Sequence, residues 1–159
     1  MTNDGEGHLV AEVSGTGTIT NTYKADHIEV DTKDTSTGAF LTKAYNVHSG
    51  LTPNDAKFDF SIAEVDADGN PVEDGYTNTG SADYTKGQTE TTAVVDLGQI
   101  SYTTEGTHYY KVSETSADSN GWTKAENSDF TVKVTVTDNG KGQLVATVSG
   151  TGSIANAYS

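Results

Sequence analysis

Cysteine is absent from this chain, so neither a disulfide framework nor a thiolate metal site is available, and any covalent staple must use other side chains. Arginine is absent too: the nine basic residues are all lysine, and 23 acidic residues outnumber them to give a formal net charge of -14. Such a surface excludes nucleic acid and anionic membrane as partners, because both need clustered cations. Proline occurs only at Pro53 and Pro71. No run is apolar enough to span a bilayer, and Met1 to Gly7 show neither the basic nor the apolar part of a signal peptide. The chain therefore reads as a segment of something longer. The four histidines, His8, His27, His48 and His108, are scattered without metal or nucleophile spacing and read as surface residues, so no metal, cofactor or turnover enzyme is expected.

What remains is Thr, Gly, Val, Tyr, Asp and Asn without long helical periodicity, a composition of strands and turns. Residues 7–23 (GHLVAEVSGTGTITNTY) return as residues 142–158 (GQLVATVSGTGSIANAY), with 12 of 17 positions identical at an offset of 135. A segment repeated across one domain-sized interval marks a tandem array cut upstream of a domain boundary. Residues 1–23 are then the tail of a preceding repeat, 24–38 a polar linker around a short strand at Ile28–Val30, and 39–159 the domain proper. Its expected strands are 39–47, 57–65, 92–102, 108–114, 129–138, 143–148 and 153–158. Turns are expected at Asp68-Gly69-Asn70, Asn120-Gly121 and Asn139-Gly140, and 70–91 reads as a long loop or weak edge strand. About seven short strands so punctuated predict an all-β sandwich.

Alternation along a strand puts residues i, i+2 and i+4 on one face. Leu41, Lys43, Tyr45 and Val47 then share a face, as do Tyr110, Val112 and Glu114, and Ile154, Asn156 and Tyr158. Each apolar face carries one polar residue. A buried charge costs several kcal/mol, so these three must either meet or escape at strand ends. If they meet, desolvation lowers the lysine pKa and raises that of the glutamate. The neutral amine of Lys43 can then attack the Asn156 carboxamide carbon while Glu114 polarises the amide and relays protons to departing ammonia. Each residue also has an ordinary reading: a snorkelling surface lysine, a solvated strand-end glutamate and a turn-capping asparagine.

The ordered set LTKAYN, KFDFSI, HYYKVSE, FTVKVTVTDNGKGQLVATV and SIANAY resembles the Cna B-type isopeptide-forming domains of Gram-positive pilins and adhesins, in particular the streptococcal pilin isopeptide linkage family. The resemblance covers residues 39–159. It implies an Ig-like (inverse Ig) sandwich in which the first-strand Lys43 bonds to the last-strand Asn156, with Glu114 as the catalytic acid in a single-turnover, autocatalytic reaction. Leu41, Tyr45, Phe58, Phe60, Tyr110, Val112, Phe130, Ile154 and Tyr158 would form the apolar surround. It further implies an extracellular, cell-wall-anchored protein whose partners are neighbouring repeats and, through other domains, host surface ligands. The domain itself would be monomeric.

Lys33 and Lys57 are rival amines, but Lys33 shares its face with Glu29 and Asp31, and Lys57 falls on the outer face of its strand. Glu64 is the reserve acid, on the face of Phe58, Phe60 and Ile62. Other functions are a sortase-assembled pilin shaft, a ligand-binding module using Tyr76 and Tyr84 of the 70–91 loop, and calcium binding at Asp66 to Asn70. The repeat also supplies an internal control. Asn21 stands where Asn156 stands but without the lysine of its own domain, and its strand should be disordered or docked on a neighbour. Asn21 is expected to stay unreacted; a tryptic peptide joining Lys43 to Asn21 would contradict that.

Overall fold

A computed structural model describes residues 2–3, 5–7 and 9–159, so Met1, Asp4 and His8 lie outside the described residues. Strand-forming residues punctuated by Gly, Asn and Asp give thirteen strands there: β1 (Thr2–Asn3), β2 (Leu9–Val10), β3 (Ile28–Asp31), β4 (Leu41–Val47), β5 (Ala56–Val65), β6 (Thr77–Tyr84), β7 (Thr92–Val94), β8 (Gln99–Tyr102), β9 (Gly106–Glu114), β10 (Trp122–Lys124), β11 (Asp129–Asp138), β12 (Leu144–Ser149) and β13 (Gly152–Tyr158). A five-stranded antiparallel sheet, β12-β11-β9-β5-β6, faces a four-stranded sheet, β10-β13-β4-β7. The alternation of β5, β9 and β11 turns Phe58, Phe60, Ile62, Tyr110, Val112, Val132, Val134 and Val136 inward, against Leu41, Tyr45 and Ile154 of the facing sheet. This is the all-β sandwich expected.

The first and last strands of the sandwich lie side by side. β13 runs parallel to β4, with Gly152 to Tyr158 opposite Leu41 to Val47. Parallel neighbours need a long crossover, and here nearly the whole domain is the connection.

Three elements differ from their sequence reading, and at 70–91 the edge-strand alternative is the one found. The stretch 92–102 is two strands, β7 pairing with β4 and β8 with β3. Val95 and Leu97 both point inward, fully buried, so the alternation runs on through the bend and hides it. Gly98 makes the turn at φ +93°, where a Cβ would lie 2.3 Å from the Tyr76 hydroxyl. The 70–91 stretch contains an eight-residue edge strand, β6, whose Ala82 and Tyr84 enter the core. Strand β10 has only three residues and no legible alternation. Finally, the polar stretch 24–38 is fixed to the sandwich: β3 pairs with β8, Val30 is in the core, and Thr32 is fully buried.

Thr32 is the latch of that corner. Its hydroxyl donates to the Gly98 carbonyl (2.7 Å) and accepts from the Leu97 amide (2.9 Å). Replacing it with valine keeps the shape and the bond from the Thr32 amide to the Gly98 carbonyl, but leaves the Leu97 amide unpaired in the core. Thr32→Val is expected to cost about 1–3 kcal/mol, read as a lowered denaturant midpoint with an unchanged slope.

Candidate cross-link site

The parallel register sets Ile154 opposite Lys43 and Asn156 opposite Tyr45. Lys43 and Asn156 are thus diagonal neighbours on the inner face of adjacent strands, with Cβ atoms about 8 Å apart by sheet geometry, a gap within the combined reach of the two side chains. Glu114 comes from the facing sheet, at the end of β9 where it pairs with Phe60 of β5. All three are buried, Lys43 completely, Asn156 at 2% and Glu114 at 6% exposure. The Asn156 amide nitrogen donates to Glu114 Oε1 at 2.9 Å, and the Ser116 hydroxyl donates to the same oxygen at 2.8 Å. Glu114 Oε2 and Asn156 Oδ1 are buried without a hydrogen-bond partner. Such orphans are rare in folded interiors and each calls for an explanation.

The amine of Lys43 sits over two aromatic faces, 4.4 Å from the Phe58 ring centre and 4.8 Å from that of Tyr45, and donates to the Ala44 carbonyl. Those faces favour the ammonium by at most about 2 kcal/mol, whereas burying it costs several. Desolvation wins: it brings the Lys43 pKa down to about 8, although the Glu114 charge opposes the fall. A substantial share of the amine is then neutral and nucleophilic at physiological pH.

The wall behind the amine was not legible in the sequence. Trp122 of β10 is 3% exposed and packs edge-on against Phe58 and Tyr84, each with ring centres 5.2 Å away. It also packs against Tyr45 and Tyr158. Gly121, in the turn before it, lies so close that a Cβ would come within 2.6 Å of the Tyr158 ring. The one available signal was a lone tryptophan directly after Asn120-Gly121. Lys124 was also missed. It pairs with Asn156 across β10 and β13 and donates to the Glu114 backbone carbonyl at 3.4 Å, a second amine beside the site but only partly buried.

Of the expected apolar surround, Leu41, Tyr45, Phe58, Phe60, Tyr110, Val112 and Ile154 are buried, while Phe130 and Tyr158 are partly so. Glu64 is elsewhere. It meets His108 Nδ1 at 2.9 Å and accepts the Tyr76 amide at 3.1 Å, beside a Tyr102–Tyr110 hydroxyl pair at 2.6 Å. His108 is accordingly half-buried rather than a plain surface histidine. Lys33 and Lys57 are exposed beside Asp96 and Asp59. Tyr84 is in the core and the Tyr76 hydroxyl donates to the Leu97 carbonyl, so the pair offered for ligand binding is used in packing. Asp66 spends its carboxylate on the Asp68 and Asn70 amides of its own turn.

Residues 39–159 match the family described as "FctA: Spy0128-like isopeptide containing domain". The chain belongs to that family. No curated protein sequence matches it. Among solved structures, the major pilin of Streptococcus pyogenes aligns with a TM-score of 0.50 at 16% identity, covering 84% of this chain and 50% of the pilin. The T-13 major pilin of S. pyogenes GAS131465 aligns with a TM-score of 0.49 at 13% identity, covering 85% of this chain and 52% of the other. The chain thus spans about half the length of these pilins. Family membership makes residues 39–159 a Spy0128-like domain, and the likeness to the pilins is one of fold.

The lowered Lys43 pKa carries a sign for stability. In Asn156→Ala the amine cannot react; below pH 8 burial of the ammonium weighs against folding, and that penalty lifts as pH rises from 8 towards 10.5. Tyr45 and Tyr102, buried and raised to about 12, act oppositely above pH 10. Denaturation of Asn156→Ala should therefore show stability rising by about 2 kcal/mol between pH 8 and 10 and falling above.

Proposed function

We propose that this domain is a stalk repeat of an extracellular, cell-wall-anchored surface protein, hardened by a self-formed amide between Lys43 Nζ and Asn156 Cγ. The observation that carries this reading is the closed pocket in which an amine of lowered pKa and a carboxamide share one face, with the amide nitrogen already on the Glu114 carboxyl. The neutral amine attacks Cγ and forms the new C–N bond. The Cγ–Nδ2 bond breaks, and the proton shed by the amine travels through Glu114 to Nδ2, which leaves as ammonia. Turning the Asn156 amide over would present Oδ1 to the same carboxyl, which as an acid would polarise it. Fixed geometry alone can supply roughly 7–11 kcal/mol of the barrier. The reaction happens once per molecule, so the protein is not an enzyme in the turnover sense.

The bond would close a loop holding most of the domain. By analogy with disulfides, a loop of about 100 residues contributes about 5 kcal/mol. Tension entering at the two ends would cross a covalent link instead of peeling β13 from β4. The repeat of residues 7–23 at 142–158 favours a tandem stalk. The second reading, a sortase-assembled shaft subunit, is favoured by the fold shared with the S. pyogenes major pilin.

Intact mass is the test. The wild-type protein should weigh one ammonia less than its sequence, and Lys43→Ala or Asn156→Ala should restore the full mass, whereas Lys124→Ala should keep the deficit. Glu114→Ala should give a folded, full-mass and less heat-resistant protein. A wild-type chain of full sequence mass, or a deficit that follows Lys124, would overturn the assignment.

A further inference from the structure

Residues 9–23 repeat the sequence of β12 and β13 but leave exposed what those strands bury. Ile19 is 92% exposed where its counterpart Ile154 is fully buried, and Val13 is 79% exposed where Val148 packs against the core. Tyr23, the counterpart of Tyr158, is different. Its hydroxyl donates to Asp138 Oδ1 at 2.8 Å and accepts the Gly142 amide at 2.7 Å, so it sits on the turn between β11 and β12. A further link follows directly: Asp26 bridges Gln143 in parallel, its amide donating to the Gly142 carbonyl at 2.9 Å. The turn that receives them is ordered by its own bonds, Gly140 to Asp138 Oδ1 at 2.8 Å and Asp138 to Glu105 at 2.7 Å. Asp138 also raises the Tyr23 pKa through its hydrogen bond, which keeps the hydroxyl a donor.

At the opposite end of the domain, Tyr158 packs its ring on Trp122 and lines a cleft of about 850 Å³ together with His48, Leu51, Glu90 and Ser159. We propose that residues 23–26 are a joint between successive repeats. The closing tyrosine of each repeat clamps the β11–β12 turn of the next, and the cleft beside Tyr158 is where a second copy of this domain docks that turn. The partner is thus another copy in series, recognised by a tyrosine hydroxyl inserted between an aspartate carboxylate and a glycine amide. The joint is independent of the Lys43–Asn156 bond. It would set the angle between neighbours and leave the chain little freedom to swivel.

Amide exchange at Gly142 reads the clamp. In the full chain, Tyr23→Phe should speed Gly142 exchange about tenfold, the loss of one hydrogen bond, while leaving the fold and the one-ammonia deficit from the sequence mass unchanged. In a chain continued past Ser159 by residues 25–159, so that Tyr158 stands in the place of Tyr23, both copies of Gly142 should be protected. Tyr158→Phe, which keeps its ring on Trp122, should then release only the appended copy's Gly142, and Tyr23→Phe only the first. Unprotected Gly142 in the appended copy, or protection indifferent to the tyrosine hydroxyls, would overturn the joint.

Discussion

The structure turns on a lysine amine held out of water. Lys43 lies at the centre of the β4–β13 seam, its amine over the rings of Tyr45 on β4 itself and Phe58 from β5, while Tyr84 from β6 and Trp122 from β10 pack around those rings. A desolvated ammonium is among the most expensive things a small domain can hold, so those rings must close fully and the amine must be offered a way to lose its charge. Both conditions are met in one pocket, where the carboxyl that opposes the pKa shift also touches the amide nitrogen.

Topology makes the pocket possible. Because β13 runs parallel to β4, the first and last strands of the sandwich are neighbours with a fixed register, and the diagonal between Lys43 and Asn156 follows from it. Glu114 arrives from the opposite sheet at a strand end, where Ser116 caps its Oε1 and holds the carboxyl towards the seam. In the second polar cluster Glu64 is paired with His108 and the Tyr102 and Tyr110 hydroxyls pair with each other, and no lysine amine is among these partners.

Lys43, Glu114 and Asn156 stood out in the sequence because strand alternation has a period of two, and a polar residue on an apolar face breaks it visibly. The same rule failed where the chain bends without breaking rhythm. Val95 and Leu97 keep alternating through the corner between sheets, and only Gly98 marks it. Edge strand β6 was obscured because one of its faces is solvent and only Ala82 and Tyr84 report the core. Trp122 belongs to a three-residue strand, too short for any period, and Thr32 is a polar residue buried by tertiary contacts that no local pattern encodes.

The fixing of 24–38 to the sandwich has a mechanical corollary. With Lys43 and Asn156 joined, residues 44–155 lie off the line of pull, and the load runs through the leader between Tyr23 and Lys43 alone. That leader is held by hydrogen bonds, the β3–β8 pairing and the Thr32 latch, none of them covalent. Pulled hard, it can give way and rezip while the core stays shut, paying out at most about 70 Å for some twenty residues. Each domain would then act as a rigid block in series with a short recoverable spring.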